Sequence, residues 1–449
     1  MKRFVTAAAI TLIGSICFAE SLKLPEAGGF EISFKADFEK GSDIGLIMCS
    51  RENPFSFSST KPAAEKALGI GLQYEEKDDK KKRSSIFLTS SGLILENKPS
   101  TLKFEGRREI KIKLTPVCGG RELTLWTDGI KHSFYSDYFL PDAVYPLSRL
   151  YFSEKAEVMD LSVEKTGEGF QNSKPKELRW EGSGYWNRSS KTLSLPESLE
   201  GIGRVTLDWR LIPKNDPWDR VNRLFAEEKG QDFEIARIIT SYNEAGGRWK
   251  QDITPLAKLL TGERKLAMQV DGNFGWEITL RYYKGQGREI PRKIFPLWNG
   301  KFRYGTPEVK GLEGIEPKEI KLPDWAERAE FFSIFTGHGW KGNKGHGAEF
   351  IRKWRKLSAG GKEFMSYLWQ SNNEFNPIDH QGGTWHIDRA GWRPGCLVRP
   401  WIVSVPAEGG KKLKLDYAAE PYSANFKKDS QGRGYHAQHI AASCLLVYD

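Results

Sequence analysis

Between Gly29 and about Lys165, apolar and polar residues alternate in several stretches: Ile32, Phe34, Ala36 and Phe38, then Ile110, Ile112 and Leu114, then Leu123 and Leu125 with Trp126. A period of two means strands with one buried face. The run Arg121 to Gly129 (RELTLWTDG) reads as a strand entering an Asp-Gly turn. Strand-like segments return at Val205 to Leu211, Phe233 to Thr240 and Trp276 to Tyr283, and helical periodicities of any length are scarce. The polar stretch Thr166 to Glu177 (TGEGFQNSKPKE) interrupts the pattern as a linker would, and Pro-Glu and Gly-Ile-Glu-Pro punctuation from Thr306 to Pro317 marks a second boundary. The pattern predicts an all-β chain: a β-sandwich over 20–166, a linker over 167–177, and two further β units over 178–312 and 320–449.

Composition narrows the class. Met1 to Ala19 begins with Lys2 and Arg3, continues through an uncharged apolar run and ends in a small residue, which predicts a cleavable signal peptide over 1–19. No later stretch reaches the roughly 20 apolar residues of a spanning helix, so a secreted or periplasmic protein that does not span the membrane is expected. The roughly 430 residues left are too many for one core, in keeping with several domains. The net charge of +10 loses the two charges of Lys2 and Arg3 with the signal, leaving +8. The excess is dispersed, and the densest run, Glu75 to Arg83 (EEKDDKKKR), mixes both signs like a solvated hairpin tip, so no nucleic-acid partner is expected. Cys49, Cys118, Cys396 and Cys444 permit disulfides within each half, Cys49 with Cys118 and Cys396 with Cys444, with four buried thiols as the alternative. No CxxC or His-x-x-x-His spacing occurs, so no metal and no cofactor are expected.

Three segments carry unusual chemistry: Asp216 to Arg220 (DPWDR), Thr336 to Phe350 (TGHGWKGNKGHGAEF) and Thr384 to Gly395 (TWHIDRAGWRPG). Each sets a carboxylate beside Trp, Gly or Arg. Glycine lets backbone approach a ligand, tryptophan offers a flat face to sugar C–H groups, and arginine holds carboxylates and hydroxyls in forked hydrogen bonds. The mixture suits polar sugar recognition. Taken singly, Asp219 reads as an ion-pair partner of Arg220 on a solvated loop, Glu349 as a surface acid, and Trp385 and Trp392 as core residues.

Together these residues resemble the bacterial peptide-N-glycosidase F family over about Leu178 to Asp449. The resemblance is carried by Asp388 to Gly395 (DRAGWRPG) with Asn376-Pro377-Ile378 upstream; by Trp218-Asp219-Arg220 followed by Glu234 to Tyr242 (EIARIITSY) and Asp252 to Gly262 (DITPLAKLLTG); and by Gly347-Ala348-Glu349-Phe350 after the Thr336 to Trp340 loop. It implies that the second and third units are two adjacent eight-stranded jelly rolls. The strand-turn run Arg121 to Gly129 is similar to laminin-G-like and other concanavalin-type sandwiches.

The resemblance further implies an amidase acting on N-glycosylated proteins or glycopeptides as a monomer, with Asp219 as principal catalytic acid, Glu349 as the second and Asp271 as the third. Arg220 and Arg389 would pin the carboxylates and the sugar. The chain departs from the family pattern at Asp271, where the family has glutamate, at Asn273, where it has tryptophan, and at Gly347 and Arg393, where it has cysteine. Trp392, Trp340 or Trp385 would then supply the sugar-stacking face. Two other readings stay open: a glycan-binding protein without activity, and a glycosidase that cuts within the glycan using paired carboxylates.

Overall fold

The computed structural model describes 174–449 apart from residues 244–245, 286, 307, 340–342, 345–347, 371–380, 424 and 427–436, and, ahead of these, strands between Ile10 and Thr166. The chain is almost entirely β and divides into two compact units, 1–174 with 283–288, and 175–282 with 289–449. No helix among the described residues is long and apolar enough to cross a membrane.

The first unit holds two six-stranded antiparallel sheets. In one of them Gly29–Phe38 lies between Ala156–Thr166 and Gly106–Val117, and the alternation seen in the sequence is its inner face: Ile32 sits opposite both Ile112 and Val163, Phe34 opposite Ile110, and all five are buried. Thr127 pairs with Ile130, and the Asp-Gly turn expected between them lies outside the described residues. Glu76 likewise pairs with Lys82, and the middle of the mixed-charge run, 77–81, lies outside the described residues. Ile10–Leu12, inside the expected signal peptide, pairs with Leu161–Val163 at the edge of the same sheet.

In the second unit a seven-stranded sheet is built around the long strand Glu263–Lys284, which pairs with Lys176–Ser194 and with Val221–Glu228. A four-stranded sheet orders Lys293–Arg303, Gln438–Tyr448, Arg328–His338 and Trp401–Val405, and a second four-stranded sheet orders Lys318–Lys321, Lys412–Ala419, Lys353–Ala359 and Lys362–Leu368.

The strands Arg328–His338 and Gln438–Tyr448 are buried on both faces. Phe332, Ile334, Cys444, Leu446 and Tyr448 enter one hydrophobic core with Trp209, Ile235 and Trp276, whereas Phe331, Phe335, Ala441, Leu445 and Val447 enter the other with Trp298 and Tyr417. Double burial explains why these segments read as continuous apolar runs without alternation. The first core therefore closes against a sheet contributed by the C-terminal half, and side chains from both halves meet along that seam.

The arginine of a buried ion pair bridges it. Arg237 binds Glu234 through Nε and Nη2, at 2.6 and 2.7 Å, and its Nη1 donates to Thr336 Oγ1 and to the Ile440 carbonyl in the other half. Both charged side chains are fully enclosed. Arg237→Ala would strand the Glu234 carboxylate, so a loss of about 3–5 kcal/mol is expected, read as a fall in denaturant midpoint at unchanged m-value.

Cys396 and Cys444 are free, buried thiols, which corrects the disulfide expected between them. Cys396 pairs with Ile239 at the edge of the seven-stranded sheet, and Cys444 lies within Gln438–Tyr448 of the other sheet opposite Phe332, so different sheets hold the two sulfurs. Burial pushes the Cys396 thiol up to about 11. Both behave as small apolar side chains. The other pairing, Cys49 with Cys118, lies outside the residues whose side chains are described.

Candidate active site

Asp219 stands on a turn that Thr240 clamps. The Thr240 hydroxyl donates to the Trp218 carbonyl and accepts from the Arg220 amide, and the Thr240 amide donates to the Arg220 carbonyl. Asp216 closes the turn from the other side by accepting from the Trp218 amide at 3.1 Å. The turn is thereby tied to the end of the strand Gln231–Ile239.

Glu349 arrives from the other half. Its carbonyl accepts from the Ala390 amide, the Ala390 carbonyl accepts from the Gly337 amide, and Arg389 exchanges both backbone hydrogen bonds with Gln370. Gly391 takes φ +77°, where a Cβ would fall 2.8 Å from the Phe335 carbonyl oxygen. Beyond it, the Gly395 amide bonds to the Ile239 carbonyl and the Val398 amide to the Arg237 carbonyl. The DRAGWRPG segment thus runs from the C-terminal half onto the edge of the seven-stranded sheet, and carries Arg389 across the seam.

Arg389 is wholly buried and joins the two acids. Its Nε donates to Glu349 Oε1 at 3.1 Å, and its Nη2 lies 3.5 Å from Asp219 Oδ2. The same Nη2 donates to Thr384 Oγ1 at 2.7 Å and to the Tyr242 hydroxyl at 3.2 Å. Tyr242 in turn hydrogen-bonds Asp219. The guanidinium plane packs on Trp392 and Phe350, with ring centroids 4.6 and 5.0 Å away. Nη1 has no hydrogen-bond partner among the described residues.

Burial dominates the electrostatics. Glu349 is 6% exposed, and its pKa is lifted to about 7 by desolvation, against the pull of Arg389 and with a further push from the Asp219 charge. Desolvation also raises Asp219, opposed by Arg389 and by the Tyr242 hydrogen bond. The Asp219 charge thus adds to desolvation in holding the proton on Glu349. Tyr242, pushed up to about 12 by burial and then by the Asp219 charge, stays protonated as a donor. Among the described residues no group of His, Cys, Asp and Glu is arranged to hold a metal ion.

The remaining candidates are placed differently. Asp271 is held by Gln269, whose amide donates to it at 3.1 Å, and among the described residues the ion pairs of Arg389 go to Asp219 and Glu349. The Arg220 Nε bonds both oxygens of Asp216 at 3.1 Å, so the hydrogen bonds that orient its guanidinium go to Asp216. Trp392, expected as a stacking face, is 3% exposed, with its ring between His338 and Arg389 and its Nε1 donating to the Gly337 carbonyl. The need to cover one face of a buried guanidinium accounts for that placement. Trp385 is half-buried, and Trp340, His346, Gly347 and Asn376-Pro377-Ile378 lie outside the described residues. His338 shares a hydrogen bond with Thr336 Oγ1, and burial holds its pKa well below the ordinary imidazole value.

Tyr242 and Thr384 are the site residues that the sequence reading passed over as participants, although both lie in the segments it singled out. Among the described residues, Trp218, next to Asp219 in the chain, and Trp186, against Arg220, are 56% and 52% exposed.

The fold and this site define an all-β, jelly-roll protein with two carboxylates on one buried arginine at the seam between two of its hydrophobic cores. Residues 310–447 match the family model described as peptide-N-glycosidase F, C terminal. A curated protein of Elizabethkingia miricola, peptide-N(4)-(N-acetyl-beta-D-glucosaminyl)asparagine amidase F, is 26% identical over 254 residues, which is 48% of this chain and 67% of that protein. Two solved structures share the fold: PNGase F, a glycosylasparaginase from Flavobacterium meningosepticum, with TM-score 0.54 and 20% identity over 62% of this chain and 96% of its own, and recombinant peptide:N-glycanase F, with TM-score 0.52 and 19% identity over 61% and 96%. The chain is thus similar to the peptide-N-glycosidase F family, with the family-model match in its C-terminal part.

Proposed function

We propose that this protein is an exported amidohydrolase that cleaves the amide between an asparagine side chain and the first N-acetylglucosamine of an N-linked glycan. The observation that carries the reading is the meeting of Asp219 and Glu349, encoded far apart, on the single buried guanidinium of Arg389. Asp219, in its ionised form, takes a proton from the attacking water as the water oxygen bonds to the amide carbon. Arg389 supplies positive charge beside the oxyanion that forms. Glu349 gives its proton to the nitrogen as the carbon–nitrogen bond breaks. The peptide leaves with aspartate in place of asparagine, and the released glycosylamine loses ammonia to water.

The test is incubation with a denatured N-glycoprotein followed by peptide mass analysis. Asparagine converted to aspartate at the glycosylation site is the expected result. One N-acetylglucosamine left on asparagine would replace this reading by a glycosidase, and retention on glycan without cleavage by a lectin.

A further inference from the structure

Trp186 is held in a manner that packing does not explain. It takes φ +45°, a conformation that a bulky side chain rarely adopts and that costs on the order of 1–3 kcal/mol. It does so at a bulge in the strand Lys176–Ser194, where Tyr185 pairs with Asn273 and Asn187 with Val270, so the bulged residue stands across from Asp271 and Gly272. Its ring is not buried in return for the strain: Trp186 is 52% exposed and neighbouring Tyr185 69%. An exposed aromatic pair on strained backbone is a surface made for presentation.

What backs the ring is fixed in place. The Arg220 guanidinium lies 4.8 Å from the Trp186 centroid. Arg220 is oriented by its Nε on both oxygens of Asp216, and Gly272, at φ +110°, leaves the room that both occupy: a Cβ there would fall 2.5 Å from Asp216 Oδ2 and 2.9 Å from Arg220 Cγ. Among the described residues, the hydrogen bonds of the Arg220 guanidinium are made by Nε, to Asp216, and neither Nη has a partner. An open aromatic face, a planar cation beside it with free N–H groups, and the catalytic candidate Asp219 one residue away therefore occur together.

We infer that Trp186, with Tyr185 and the free edge of Arg220, forms a carbohydrate subsite that stacks a pyranose ring of the N-glycan while Asp219 faces the bond to be cut. A pyranose has one face of C–H groups and an edge of hydroxyls, which matches a ring face flanked by N–H donors. The subsite deepens the amidase reading and rests on it for its place in the reaction, and its occupancy is measurable without any cleavage.

The experiment is titration of the full chain with a free high-mannose oligosaccharide that ends in the di-N-acetylchitobiose unit, and separately with an unglycosylated acceptor peptide, followed by calorimetry. Trp186→Asn is the variant of choice, because asparagine tolerates the left-handed region and the fold is retained; Trp186→Phe keeps a ring. The oligosaccharide should bind the wild type, at least about tenfold more weakly the asparagine variant, and with intermediate affinity the phenylalanine variant. Three results would each overturn the subsite: no oligosaccharide binding by the wild type, equal affinity in Trp186→Asn, or a loss confined to the peptide. The free oligosaccharide has no amide to cut, so these outcomes are independent of whether aspartate is formed from a glycoprotein.

Discussion

Asp219→Asn is expected to lower kcat on an N-glycopeptide by about 10³-fold or more, within the range that a positioned general base contributes. The amide keeps the shape and the hydrogen bond to Tyr242 but cannot take the proton of the attacking water. The fold should not suffer, because burial raises the pKa of Asp219 in spite of Arg389 and Tyr242, so the folded state resists this charge more than the unfolded chain does. The sign follows: a raised carboxyl contributes stability below its unfolded pKa that is lost as pH rises through the folded value. At neutral pH the neutral variant should therefore melt no lower than the wild type. Arg389→Ala would be a poorer probe, since it strands Glu349 without its partner and costs about 3–5 kcal/mol in stability. Asp271→Asn should have the smaller kinetic effect, because Asp271 is tied to Gln269, whereas among the described residues the ion pairs of Arg389 go to Asp219 and Glu349. Undiminished turnover in Asp219→Asn, measured on purified glycopeptide, would remove Asp219 from the mechanism.

The strands with one wet face were legible from alternation, as Gly29–Phe38 and Gly106–Val117 show. Arg328–His338 was not marked, because its run FFSIF is buried from both sides and lacks the period that reveals a strand. The two acids could be read because each sits in a run of uncommon residue types. Their common partner was legible only as an arginine in a motif; that one guanidinium bridges both is a fact of the seam. Tyr242 and Thr384 carried no signal, since hydroxyl residues beside a carboxylate are commonplace in sequence. Trp392 shows a limit of composition: an indole suits a sugar face and an arginine face equally, and only burial distinguishes them. Trp186 was missed because nothing in a sequence announces a strand bulge at a tryptophan.

Glu349 should set the alkaline limb of the pH profile. With its pKa lifted to about 7 by burial, it holds the proton needed by the departing nitrogen only below that pH. The value of kcat/KM should therefore fall about tenfold per pH unit on the alkaline side, and Glu349→Gln should be slower by about 10²- to 10³-fold with that limb absent. Stability must move with the same group. Its folded pKa lies above the ordinary carboxyl value, so its contribution is complete in acid and is lost as pH rises through about 7. Glutamine has no proton to lose. Relative to the wild type, Glu349→Gln should thus gain in melting temperature between about pH 5.5 and about pH 8.5, while losing activity at both. Rate and stability report one titration through separate measurements, and an alkaline limb that persists in Glu349→Gln, with no relative gain in melting temperature, would assign the proton donor to another group.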